Sequence, residues 1–87
     1  MGTVVCGFKL YELHQLIEFV SPEGEVEQVA ISSLEHMGED IAQACAKYNT
    51  NKVHLFGNAV YAEKIIEDIN NYSVTKYNKN ILEIEVN

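Results

Sequence analysis

An α+β fold with the order βββαβαβ is predicted by three observations. Short apolar runs rich in β-branched and aromatic residues occupy the front of the chain, positions 53–56 and the C-terminal end. Two longer stretches, 34–48 and 59–70, place apolar residues at helical spacing. Clusters of Gly, Pro, Ser and Asn divide these runs at short intervals. The 87 residues suit a single small domain, a mixed sheet with helices packed on it, and 47% hydrophobic content is enough for a core.

Residues 3–8, Thr-Val-Val-Cys-Gly-Phe, read as the first strand, with Gly7 marking a bulge or a close backbone approach. Residues 9–20 admit two periods. Tyr11, Leu13, Ile17 and Phe19 share a face with period two, whereas Leu10, Leu13, Ile17 and Val20 share one with helical period. A strand is preferred because Ser21-Pro22-Glu23-Gly24 forms a turn and residues 25–31 continue as an alternating strand. Val26, Gln28, Val29 and Ile31 leave strict alternation by one residue, which fits a bulge. The resulting hairpin is rich in acid at its tip, with Glu23, Glu25 and Glu27.

Ser32-Ser33-Leu34-Glu35 has the form of a capping box, and Leu34, Met37, Ile41, Ala44, Cys45 and Tyr48 follow at helical spacing. Gly38 costs this helix about 1 kcal/mol relative to alanine and is placed to allow close packing on the sheet. Asn49, Thr50 and Asn51 break the chain before Val53, Leu55 and Phe56, a run continuous enough for a central strand covered on both faces. His54 within it reads as a hydrogen-bonded interior histidine. Gly57 turns the backbone and Asn58 caps a helix over 59–70, with Ala62, Ile65, Ile66 and Ile69 inward. Asn70 and Asn71 end that helix, and residues 72–77 are open between a loop and a short strand. Asn78-Lys79-Asn80 is a turn, after which Leu82, Ile84 and Val86 alternate with Glu83 and Glu85 in a final strand.

Charge narrows the function classes. The formal net charge is -7, all six basic residues are lysines, at 9, 47, 52, 64, 76 and 79, and arginine is absent. Nucleic acids and anionic membranes are recognised through clustered cations, and arginine is the usual bidentate phosphate ligand, so neither partner is expected. No apolar stretch is long enough to span a membrane, and the first residues lack a basic region, which points to the cytoplasm. Cys6 and Cys45 are too isolated for a zinc or disulfide framework and read as reduced, buried thiols. Glu35, His36, Glu39 and Asp40 lie on the first turns of a helix, whose dipole explains the carboxylates, His14, His36 and His54 are far apart, and no serine or cysteine has an identifiable base. No catalytic residue, metal site or cofactor is therefore expected.

The element order resembles the ribonuclease-H-like fold of many nucleases and, in elaborated form, of actin-like ATPases. The local likeness runs through Val53-His54-Leu55-Phe56-Gly57-Asn58 into Ala59-Val60-Tyr61-Ala62-Glu63-Lys64-Ile65, which looks like the strand, glycine turn and helix by which actin-like ATPases approach a nucleotide. That resemblance implies a ligand near Gly57, Asn58 and His54. The family pairs two glycines where this chain has Gly57-Asn58, and nucleases of the fold carry aspartates in the first and fourth strands, where this chain has none. The expectation is a small acidic, non-enzymatic interaction protein that forms homo-oligomers or binds another protein, of the accessory or inhibitory kind associated with mobile elements. The alternatives are a small-ligand or nucleotide-binding module using the Gly57-Asn58 turn and a degenerate ribonuclease-H-like nuclease.

Overall fold

The computed structural model describes residues 2–80 and 83–86. Its elements are β1 (Thr3–Gly7), β2 (Gln15–Val20), β3 (Val26–Ser32), α1 (Met37–Lys47), β4 (Lys52–Phe56), α2 (Ala59–Tyr77) and β5 (Glu83–Val86). They form one mixed sheet of order β3-β2-β1-β4-β5. β1, β2 and β3 pair antiparallel, whereas β4 lies parallel to both β1 and β5. Helical crossovers explain the switch, because parallel neighbours cannot be joined by a tight turn. The tight turn is kept for β2 and β3, where the Gly24 N–H donates to the Ser21 carbonyl at 2.9 Å and Gly24 adopts φ 88°.

Both helices lie on one face of the sheet. Val4, Cys6 and Phe8 alternate toward that face from β1 and its end, joined by Ile17, Val53 and Leu55. Met37, Ile41 and Cys45 of α1 and Ala62, Ile65 and Ile69 of α2 close the core over them. The burial of β4 alternates along its length, so its other face is not covered as the apolar run had implied. His54 accordingly sits half-exposed on the open face, its ring stacked on Phe56 with centroids 4.2 Å apart. Thr50, read as a breaker, is fully buried: its hydroxyl donates to the Gly2 carbonyl and ties the start of β1 to the approach of β4.

Several local expectations are corrected by tertiary contacts. β2 begins at Gln15, leaving residues 8–14 as a loop. The serine-x-x-glutamate pattern does not cap α1, because β3 runs on through Ser32 and pairs it with Gln15. The Ser32 hydroxyl instead donates to the Asp40 carboxylate, and α1 starts after His36. Gly38 packs against α2 and not the sheet. β1 pairs in register on both sides, so Gly7 makes no bulge. The bulge expected in β3 is present: Ile17 pairs with Ala30 but Glu18 with Gln28, leaving Val29 as the extra residue.

α2 continues through residues 72–77, past the two asparagines that were read as its end. Ser73 is buried and Lys76 pairs with Glu39 of α1, so packing outweighs the weak helix propensity of Asn70 and Asn71. Asn78 stops it in a left-handed conformation, φ 49°, with the Lys79 N–H donating to the Ser73 carbonyl at 2.9 Å. In β5, Ile84 pairs with Val53 and Val86 with Leu55, whereas Leu82 lies outside the described residues. No helix among the described residues is long and apolar enough to cross a membrane.

Candidate binding surface

Register places two chemically different ends on the sheet. Thr3 faces Val20, so the β2–β3 hairpin with Glu23 and Glu25 lies beside the start of β1. The loop after β1 and the turn after β4 meet at the opposite end, where the Phe8 N–H donates to the Phe56 carbonyl at 2.8 Å. Gly57 makes this meeting possible. It adopts φ 154°, and a Cβ there would fall 2.6 Å from the Phe8 ring and 2.7 Å from the Phe8 carbonyl oxygen.

Asn58 caps α2 from an extended conformation. Its side-chain oxygen accepts from the Val60 and Tyr61 N–H groups at 3.0 and 3.3 Å, and its carbonyl from the Ala62 N–H at 3.0 Å. An anion would have to displace the Asn58 side chain to reach those amides. Asn58→Ala is expected to lower the unfolding free energy by about 1 kcal/mol, with Asn58→Asp near neutral, as read from urea midpoints. Gly57 and Asn58 border two grooves that share Phe8 and Lys9. His54 lines neither; it belongs to a separate depression of about 200 Å³ with Thr3, Lys52, Val53 and Glu85.

The first groove, about 480 Å³, lies over Gly7 between Leu16 and Phe56. At that level of the open face, Leu16 pairs with Ile31 and Gly7 with Phe56, forming an apolar row interrupted by the glycine. The atom nearest to a Cβ built on Gly7 is Phe56 Cβ at 3.9 Å, so the floor of the trough is open. The second groove, about 410 Å³, is lined by Phe8, Lys9, Leu10, Tyr11 and Asn58.

The loop bearing Leu10, Tyr11 and Leu13 is pinned by Gln15, a buried residue that sequence reasoning passed over. The Gln15 carboxamide accepts from the Lys9 N–H at 3.0 Å and donates to the Lys9 and Glu12 carbonyls at 2.9 and 3.0 Å. The backbone is thus fixed while its apolar side chains point to solvent. Tyr11 is 99% exposed, Leu13 83%, Leu10 47%, Phe56 41% and Val60 80%. A sequence signal existed: residues 9–14 fitted neither period uniquely, as apolar residues that do not serve the core will not.

Reactive groups lie elsewhere. Cys6 and Cys45 are free and fully buried. Burial, aided by the Glu18 charge, pushes the Cys6 thiol up to about 12; burial also raises Cys45 to about 12 against the opposing pull of Lys79. Thiols held protonated are poor nucleophiles. Among the described residues, no three His, Cys, Asp or Glu side chains converge to hold a metal ion. No family model matches the chain, and no curated protein or solved structure shows significant similarity to it.

Proposed function

We propose that this chain is a non-enzymatic interaction protein of the cytoplasm that works through self-association. The observation that supports this most is the gathering of exposed apolar side chains at one end of the sheet, on a loop held in place by Gln15. Contiguous exposed apolar surface marks interaction sites, and a loop already ordered loses little entropy on docking. A second copy fits this end better than a basic partner, which would be drawn to the acidic hairpin at the other end. A small domain also gains from oligomerisation because it buries a limited share of its own surface.

Light scattering coupled to size exclusion, over a roughly hundredfold concentration range, tests this. The expected result is a mass of twice 9.8 kDa at the upper concentrations, falling toward the monomer on dilution. A monomer mass throughout would overturn the reading.

A second reading, a small-ligand module, is supported by the two grooves beside Gly57 and Asn58, whose volumes lie in the range typical of ligand pockets. The ribonuclease-H-like resemblance rests on the element order βββαβαβ. Where nucleases of that fold carry metal-binding aspartates, β1 offers Cys6 and Gly7, and the end of β4 offers Phe56 and Gly57. Two-metal phosphoryl chemistry needs converging carboxylates, so the architecture is read here as a binding scaffold.

A further inference from the structure

We infer that the self-association contact is a reciprocal insertion in which Tyr11 of each copy fills the trough over Gly7 of the other. This rests on the self-association just proposed. The trough has an open floor at Gly7, apolar walls in Leu16 and Phe56, and a volume of about 480 Å³. Tyr11, at the same end of the sheet, is a large side chain with its ring in solvent, displayed from the pinned loop. A knob and a hole carried by one molecule, side by side, satisfy the requirement of a twofold contact, in which each surface meets its own copy.

Area and charge agree with a second copy as the occupant. The exposed parts of Tyr11, Leu13, Leu10, Phe56 and Val60 amount to on the order of 700 Å² per molecule, close to the roughly 800 Å² per partner of a stable interface. The charged side chains lining the two grooves are Lys9 and Glu12, of opposite sign and 3.6 Å apart. The pair is neutral in sum, so two copies of this end meet without net charge between them. The acidic hairpin lies beyond the other end of β1, more than about 12 Å away at strand rise, farther than the Debye length of ~8 Å at physiological salt. The three hairpin carboxylates, Glu23, Glu25 and Glu27, thus add little repulsion at this end.

Two variants acting from opposite sides test the insertion. Gly7→Val fills the trough; the site is a β-strand with open space above the Cβ, so the monomer fold is kept or strengthened. Tyr11→Ser removes the knob from a fully exposed position. Each is expected to raise the dimer dissociation constant at least about thirtyfold, with unchanged circular dichroism. A Val26→Lys variant, at the hairpin end of the exposed edge strand, serves as the control for pairing through β3 and is expected to shift it by less than about threefold. A dimer that persists in both Gly7→Val and Tyr11→Ser overturns the insertion and leaves self-association standing through another surface. A wild-type protein that stays monomeric overturns both.

Discussion

Gly38→Ala is expected to destabilise the protein by about 2 kcal/mol, although alanine is the better helix former by about 1 kcal/mol. The added Cβ would fall 2.3 Å from Asp68 Cβ and 3.1 Å from both the Asp68 carbonyl carbon and the Ile69 nitrogen. These are not ends of flexible side chains. A Cβ is fixed by its backbone, so α1 and α2 must separate to admit it. Separation loosens the core to which Met37, Ile41, Ile65 and Ile69, all buried, belong. Overpacking of this kind costs about 1–3 kcal/mol and outweighs the propensity gain. For a domain of this size the melting temperature would fall by about 8–16 °C. Urea unfolding of the two proteins measures the difference; a gain of stability would show that the helices slide apart freely.

Alkaline solution is expected to unfold the protein through its two thiols. Both cysteines have folded-state values near 12 against 9.0 for the free thiol. Unfolding above pH 9 releases protons that the folded state holds, so this contribution is complete below pH 9 and declines as the pH rises through 12. Each thiol changes stability by about 1.4 kcal/mol per pH unit in that window, and the pair by about 3. Two units of pH remove about 5 kcal/mol, comparable with the whole stability of a small domain. Urea midpoints measured from pH 8 to 11 on wild type and on a Cys6→Ala, Cys45→Ala variant separate the thiols from lysine and tyrosine titration. The variant should show the flatter slope, and equal slopes would assign alkaline unfolding to the other groups.

The elements whose pattern is decided locally were legible in the sequence. Strand β1, the hairpin turn at Ser21 to Gly24, the β3 bulge, the apolar stripe of α1 and the Asn58 cap all follow from short-range chemistry, and the structure places them accordingly. What was misread depended on distant partners. The start of α1 moved because Ser32 pairs across the sheet with Gln15, and α2 lengthened because Ser73 is buried and Lys76 reaches Glu39 on α1. The role of Gly38 required knowing that α1 lies against α2.

The candidate surface was legible only in part. Gly57 and Asn58 were singled out from the turn they make, and both border the grooves. The resemblance groups His54 with them, but the alternation of β4 turns it onto the open face and into a different depression. Leu10, Tyr11 and Leu13 fall within the strand that the following turn and alternating segment favour over residues 9–20. Nothing in their order reveals that Gln15 holds them outward.

The central place of β1 also dictates an order of events in folding. Its antiparallel partner β2 follows within a few residues, but its parallel partner is synthesised about 50 residues later, and closing such a loop costs roughly 3 kcal/mol of chain entropy. By chain entropy the β1–β2–β3 meander is the cheaper part of the sheet to close, and on its own it would leave Val4, Cys6 and Ile17 bare on one face and one side of β1 unpaired. In the folded protein α1 helps cover that face and β4 completes the ladder. Until β4 registers Val53 beside Val4, the nascent protein carries an open strand at what becomes the middle of its sheet.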